Sequence, residues 1–298
     1  MKSSPSGLKC KSPEISSSIP PQAIPCHAVA VAFPHLAGVN LSPDLFDIIH
    51  EDADLLAINK PAGLVCHPTK TDAMSSLIGR VRLHLGEAAH PHLVNRLDRE
   101  TSGVTVVAKT DAAARSLRRL WEARRVQKVY LALVHGHVAP DSGLIDAPLG
   151  KDEHSRVAIK DCVRADGAPA QTEFQVEQRF RGLTCAGLQC SAVTTADAPL
   201  SLLQLKPRTG RKHQIRIHLA HLGHPIVGDK IYGADEDLYL ALVEDRLTAI
   251  QREMLILPNH ALHASSVTFE WNNAQITFAA PKPEWCNSLA SPCDKKSI

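Results

Sequence analysis

Short apolar runs, each cut off by glycine, proline or a polar turn, constrain this chain most. Residues 44–50 and 55–58 suit two strands around the acidic turn Glu51–Asp54, and Lys60-Pro61-Ala62-Gly63 breaks the second. Gly103–Lys109 has the valine-rich composition of a buried strand, and Tyr130–Val134, Ala170–Val176 and Leu200–Leu205 are strand-like as well. Residues 262–269 and 274–279 flank Trp271-Asn272-Asn273, which predicts a closing hairpin. Helical spacing occurs in fewer places. Leu77, Ile78, Val81 and Leu85 share a face within 73–85, and Asp111 can cap a helix whose stripe is Leu117, Leu120 and Trp121. Further helices are expected at 212–222, opened by Thr209 and Gly210, and at 235–252. Hairpins with inserted helices predict an α+β fold: a largely antiparallel mixed sheet with flanking helices.

The chain's 298 residues, 44% of them hydrophobic, can bury a sizeable core. We expect a loosely packed tail over 1–44, whose Ser-, Pro- and Lys-rich first 26 residues have little to bury, one domain over 45–284, and a C-terminal tail over 285–298. A net charge of +2 excludes a globally basic nucleic-acid coat protein, so any nucleic-acid surface must come from local clustering. Aromatic content of 4% argues against an extended base-stacking platform. Eight scattered cysteines without a Cys-x-x-Cys pair, and without a recognisable secretory signal, point to a reducing, cytoplasmic setting. No apolar run approaches the ~18 residues of a membrane helix.

Two runs carry the chemistry. In Val94-Asn95-Arg96-Leu97-Asp98-Arg99-Glu100-Thr101-Ser102-Gly103 one carboxylate stands between two arginines. Nearby positive charge lowers a carboxyl pKa by ~1–3 units, so Asp98 is expected to stay ionised and able to act as nucleophile or base. Arg96 and Arg99 beside it can hold a phosphate backbone. The bland alternative is an ion pair in a surface turn. The second run holds Lys206, Arg208, Arg211, Lys212 and Arg216 with no acid among them. Lys212 and Arg216 are four apart and share a helical face, which suits a phosphate or carboxylate. His213, His218, His221 and His224 crowd the same region, but no His-Glu-x-x-His pattern occurs and Asp229 is the only nearby acid, so no metal is expected. Neither a phosphate-binding glycine loop nor a Gly-x-Ser-x-Gly elbow is present. Glu100, on the same face as Asp98 if the segment is extended, leaves a two-carboxylate glycosidase as an alternative.

Together these runs resemble the RluA-type pseudouridine synthases. Asn95–Gly103 is similar to that family's Arg-Leu-Asp catalytic motif. Gly210–Leu219, running on through Gly223–Asp229 to Tyr232-Gly233, is similar to its second signature. Weaker blocks follow the family's order at Asn59–Val65, Lys128–Val134 and Ala261–Ala264, so the resemblance covers roughly residues 45–280. It implies the isomerisation of uridine to pseudouridine in structured rRNA or tRNA, in a central RNA-binding cleft, without cofactor or metal, by a monomer. It also implies site roles. Asp98 matches the catalytic aspartate, Arg216 the arginine that pairs with it, and Tyr130 the tyrosine that stacks on the flipped base. Arg96 matches an arginine near the flipped nucleotide. Phosphate contacts would come from Arg99, Arg118, Arg119, Arg125, Arg208, Arg211 and Lys212. Asn95 stands where the family usually has His, which changes a supporting hydrogen bond. Residues 181–200 are longer than usual and predict an extended loop, and there is no room before residue 45 for an S4 domain. The main alternatives are an RNA-binding protein on the same scaffold without turnover, and a metal-dependent hydrolase built on His218–His224.

Overall fold

The computed structural model describes residues 45–68, 73–86, 88–181, 198–233 and 235–289. The tail over 1–44 and nearly all of the expected 181–200 loop lie outside them. The strands are β1 (Asp47–Glu51), β2 (Leu55–Lys60), β3 (His92–Leu93), β4 (Ser102–Ala108), β5 (Gln127–His135), β6 (Ser142–Asp146), β7 (Leu149–Lys151), β8 (Asp161–Val163), β9 (Gln171–Phe180), β10 (Leu200–Pro207), β11 (Leu262–Trp271) and β12 (Ala274–Ala279). The helices are α1 (Leu77–Leu85), α2 (Asp111–Glu122), α3 (Gln214–His221), α4 (Asp237–Val243) and α5 (Ala249–Leu255). Among the described residues ten strands form one sheet, ordered β1-β2-β4-β11-β5-β10-β9-β6, with β12 on β11 and β3 on β4; β7 and β8 pair separately. Its strand pairs are antiparallel except β4 with β11. This is the α+β, mainly antiparallel architecture expected.

The parallel contact between β4 and β11 depends on a glycine. Gly103 has φ +108°, and a Cβ there would lie 2.2 Å from the Ala264 carbonyl oxygen. Only glycine lets the start of β4 approach β11 this closely, which brings the loop before β4 against the centre of the sheet. On one side α2 lays Ala113, Ala114 and Leu117 over Val104 and Val106 of β4. Burying Leu117 completely is worth roughly 1.5–3 kcal/mol, and its neighbours Arg115, Arg118 and Arg119 face solvent. Elsewhere Ile215 and Leu219 of α3 join Leu133, Leu203 and Leu205 in the largest core cluster.

Local chemistry corrects several expected boundaries. Thr110, not Asp111, caps α2: its Oγ1 accepts from the Ala113 N–H, while Asp111 opens the first turn and pairs with His92 at 2.7 Å. Thr209 and Gly210 do not open α3. Thr209 Oγ1 is taken up by the Gln171 N–H and by Gln214 Oε1, and the helix starts at Gln214 after His213, a left-handed residue at φ +54°. The stretch 235–252 divides in two. Asp245 turns to φ +54°, and a Thr248–Gln251 capping box starts α5. The closing hairpin forms as expected, with Asn272 and Asn273 at φ +50° and +62° making the two-residue turn. Packing also continues past 284: Glu284–Ser288 forms a 3-10 turn, and Trp285 and Leu289 rest on the core.

Candidate active site

Asp98 lies in the loop between β3 and β4, and its neighbours are fixed one by one. Leu97 exchanges contacts with Cys66, its N–H donating to Sγ at 3.4 Å and its carbonyl accepting from the thiol at 3.3 Å. The Arg99 carbonyl accepts from the Gly63 N–H at 2.9 Å and from Lys60 Nζ at 3.1 Å. Lys60 also donates to the Pro61 and Leu64 carbonyls, both at 2.8 Å. Burial pushes its ammonium down to about 8. Glu100 receives Lys230 Nζ on both oxygens at 2.8 and 2.9 Å and the His260 N–H at 3.2 Å. Thr101 Oγ1 meets His260 Nε2 at 2.7 Å. A loop anchored on both sides of Asp98 holds that carboxylate without help from a bound substrate.

The carboxylate itself is held by Arg216 of α3. Arg216 Nη1 donates to Asp98 Oδ2 at 2.9 Å, while Nε and Nη2 grip Asp229 bidentately at 2.7 and 2.9 Å. Asp229 Oδ1 also accepts the Ile231 and Tyr232 N–H groups, and the Tyr232 ring lies under the guanidinium, 5.1 Å from Cζ. Burial separates the roles. The side chains of Asp229 and Arg216 are 0% and 6% exposed, whereas that of Asp98 is 30% exposed. Asp98 is the member of this triad that an incoming molecule can reach. Burial pushes the Asp98 carboxyl up, but Arg216, together with His213 and His260, outweighs it and leaves the pKa below the ordinary aspartate value. For Asp229, likewise, burial is overcome by Arg216 and the pKa falls. Both are therefore ionised at neutral pH, and one guanidinium faces two carboxylates.

Tyr130 stands on β5 opposite Ala264 of β11 and packs with Cys66, Leu97 and Ala264, beside the Asp98 loop. Burial, with the Asp98 charge nearby, pushes its phenol up to about 12, so it stays protonated at neutral pH. His213 is the remaining neighbour, its Nε2 3.9 Å from Asp98 Oδ1.

A protein family described as RNA pseudouridylate synthase matches residues 54–221. The dual-specificity RNA pseudouridine synthase RluA of Vibrio vulnificus is 36% identical over 249 residues, 83% of each chain. The chain belongs to this family. It is an RNA pseudouridine synthase, an isomerase that acts on RNA. RluA of Salmonella typhimurium is 39% identical over 224 residues, 75% of this chain and 91% of that one. Among solved structures, human RNA Pseudouridylate Synthase Domain Containing 1 is similar with a TM-score of 0.63 at 26% identity, covering 84% of this chain and 91% of that one.

The synthase brings Asp98, Arg216 and Tyr130 together but places other expected site residues differently. Arg96 and Arg99 flank Asp98 in sequence, yet both are exposed, and Arg99 Nε is spent on the Gly63 carbonyl; the charge that holds Asp98 ionised comes from Arg216. Lys212 and Arg216 do not form a shared anion receptor. Lys212 precedes the helix, is exposed and pairs with Asp161 at 2.9 Å. Arg118 and Arg119 are exposed and make no ion pair among the described residues. Arg125 pairs with Glu270 and Arg208 with Glu173, both at the surface, and Arg211 donates to the Pro169 carbonyl. Glu100 is neutralised by Lys230 rather than paired with Asp98. The histidines take separate structural roles: His218 bonds Thr172 and the Ala147 carbonyl, and His224 the His135 carbonyl. No three His, Cys, Asp or Glu side chains among the described residues could hold a metal. Asn95 bridges β4 backbone, accepting from the Val106 N–H and donating to the Val104 carbonyl. Sequence reasoning misses Asp229 as the second half of the clamp. Its one signal is a lone acid closing a basic, histidine-rich run.

Proposed function

We propose that Asp98 is the catalytic carboxylate of a uridine-to-pseudouridine isomerisation in structured rRNA or tRNA. The reading is carried by one observation: a reachable, ionised carboxylate is held at 2.9 Å by a buried arginine that a second, inaccessible carboxylate fixes in place. In the reaction N1–C1′ breaks, the uracil turns, C5–C1′ forms, the C5 proton leaves and N1 gains one. Nothing is oxidised or reduced, and the chemistry calls for no cofactor. Asp98 serves either by adding to the nucleotide or by taking a sugar proton. Both routes need the anion, and the clamp supplies it.

A stacked uridine must first be flipped out, at a cost of a few kcal/mol. Tyr130 then stacks on the extruded base, returning ~1–3 kcal/mol, and exposed Arg96 fills the vacated position. Arg99, Arg118, Arg119, Arg125, Arg208, Arg211 and Lys212 contact phosphates; for Arg125, Arg208 and Lys212 this means exchanging surface ion pairs, which are worth little. The working unit is a monomeric domain in the cytoplasm that runs from about 45 past the expected limit of 284, since Trp285 and Leu289 rest on its core; no helix among the described residues is long and apolar enough to cross a membrane.

The test is release of tritium to water from rRNA and tRNA labelled at uracil C5 and taken from cells lacking the protein. One equivalent per modified site is expected. RNA binding with no release from either pool would contradict the proposal and favour a binding protein.

A further inference from the structure

His213 occupies a costly position for a residue whose backbone does only what any residue there could do, its carbonyl accepting the Ile217 N–H at 3.0 Å. It is a non-glycine residue at φ +54°, at the N-cap of α3, and its side chain makes no capping hydrogen bond. Glycine would take this conformation more cheaply, so the imidazole must be accounted for by its own contacts. The ring is 9% exposed and packs edge-on against Tyr232, with centroids 5.6 Å apart. Its Nδ1 lies 2.9 Å from the Tyr232 hydroxyl. That hydroxyl oxygen already accepts the Asp161 N–H at 3.3 Å, which leaves its proton free to be donated to Nδ1. A neutral imidazole that accepts at Nδ1 carries its hydrogen on Nε2. Nε2 is the ring nitrogen nearest Asp98, 3.9 Å from Oδ1, while Oδ2 is occupied by Arg216 at 2.9 Å. Tyr232 is tied to the same clamp twice, by its ring under Arg216 and by its N–H on Asp229.

A carboxylate anchored through one oxygen can still swing about that anchor. A second donor on the other oxygen fixes its plane. We propose that His213 is a positioning residue for Asp98: Nε2–H, oriented by the Tyr232 hydroxyl, donates to Oδ1 when a flipped uridine is bound, and so sets the direction in which the reactive oxygen faces the sugar. Hydrogen bonds of this kind are commonly long in the free enzyme and tighten on substrate binding. The role of His213 deepens that of Asp98 as catalytic carboxylate and rests on it.

The test uses the full chain with His213→Gly, which suits φ +54°, under single-turnover conditions on the same C5-tritiated rRNA and tRNA pools. Misplacement on this scale costs up to about 100-fold, so the tritium-release rate should fall about 10- to 100-fold with RNA affinity unchanged. Added imidazole should restore part of the rate. Tyr232→Phe, which keeps the ring under Arg216 but loses the hydroxyl, should show a smaller fall without change in affinity. A wild-type rate in His213→Gly would overturn the inference, as would a fall that imidazole leaves unrepaired or one matched by lost RNA affinity. Asp98→Asn, run alongside, separates the two levels. If it is inert while His213→Gly is fully active, only the role of His213 fails. If it turns over normally, the role of Asp98 fails.

Discussion

Arg216→Met is expected to destabilise the fold by about 3–5 kcal/mol and to stop turnover at the same time. The guanidinium is the charge partner of a carboxylate with no exposure at all, and the Ile231 and Tyr232 N–H groups that remain on Asp229 cannot replace a full positive charge. Removing one member of a buried pair costs more than the pair contributes, because the survivor is left charged and unsolvated. Adding Asp229→Asn removes that stranded charge, so the double variant should regain part of the loss, a coupling that a double-mutant cycle measures directly. Turnover should not return with it, since Asp98 would still lack its donor. Urea unfolding of the four proteins is the check. A loss under about 1 kcal/mol in Arg216→Met, well below the cost of stranding a buried charge, would mean that the clamp does not hold this part of the fold together.

Mild acid should destabilise the synthase well before its carboxylates titrate. Burial pushes His260 down to about 3 and His263 down to about 4, against an ordinary value of 6.5. As pH falls below 6.5 the unfolded chain takes up protons that the folded chain refuses, so stability drops across the window from 6.5 toward 4. Each such histidine contributes up to about 1.4 kcal/mol per pH unit, or about 4 kcal/mol for the two together at pH 5. Asp98 and Asp229 are also shifted down, but in an acid a lowered pKa favours the charged form. Their lowered pKa values add stability that persists above the ordinary aspartate value of 3.8 and is lost only as pH falls below it. Unfolding at pH 7 and pH 5 therefore isolates the histidines. The urea midpoint should fall sharply at pH 5, and less so in His263→Asn. Equal midpoints for the wild-type chain at the two pH values would contradict buried neutral imidazoles.

Much of this arrangement is legible in the sequence, for identifiable reasons. Strands β4 and β5 are visible because their buried stretches are mainly apolar, whereas β11 mixes His, Ser, Thr and Glu with its apolar residues and is visible through its hairpin with β12. The β11–β12 hairpin is visible because two successive asparagines accept positive φ. The end of β2 is visible at Lys60-Pro61. The break between α4 and α5 is also written there, as Thr248-x-x-Gln251, but the apolar spacing across 235–252 obscures it. The site is a different matter. Asp98, Tyr130 and Arg216 are joined only through the family resemblance, since nothing in local spacing links Asp98 to an arginine more than a hundred positions away. Spacing alone misleads here. Glu100 shares a face with Asp98 only in an extended strand, and the chain turns there instead, with the Thr101 N–H on the Asp98 carbonyl at 3.2 Å. Arg96 and Arg99 are close to Asp98 in sequence but exposed to solvent, and Lys212 lies outside the helix that carries Arg216. Sequence neighbours supply the exposed charge, while the charge that pairs with Asp98 comes from across the fold.

Asp98→Asn tests the central claim most directly. The amide keeps the shape and a hydrogen-bonding oxygen for Arg216 but removes the anion. Tritium release from C5-labelled RNA should fall by roughly four orders of magnitude, equivalent to about 5.5 kcal/mol of barrier, while RNA affinity changes little. Release within about tenfold of the wild-type rate, or 1.4 kcal/mol of barrier, would contradict the account.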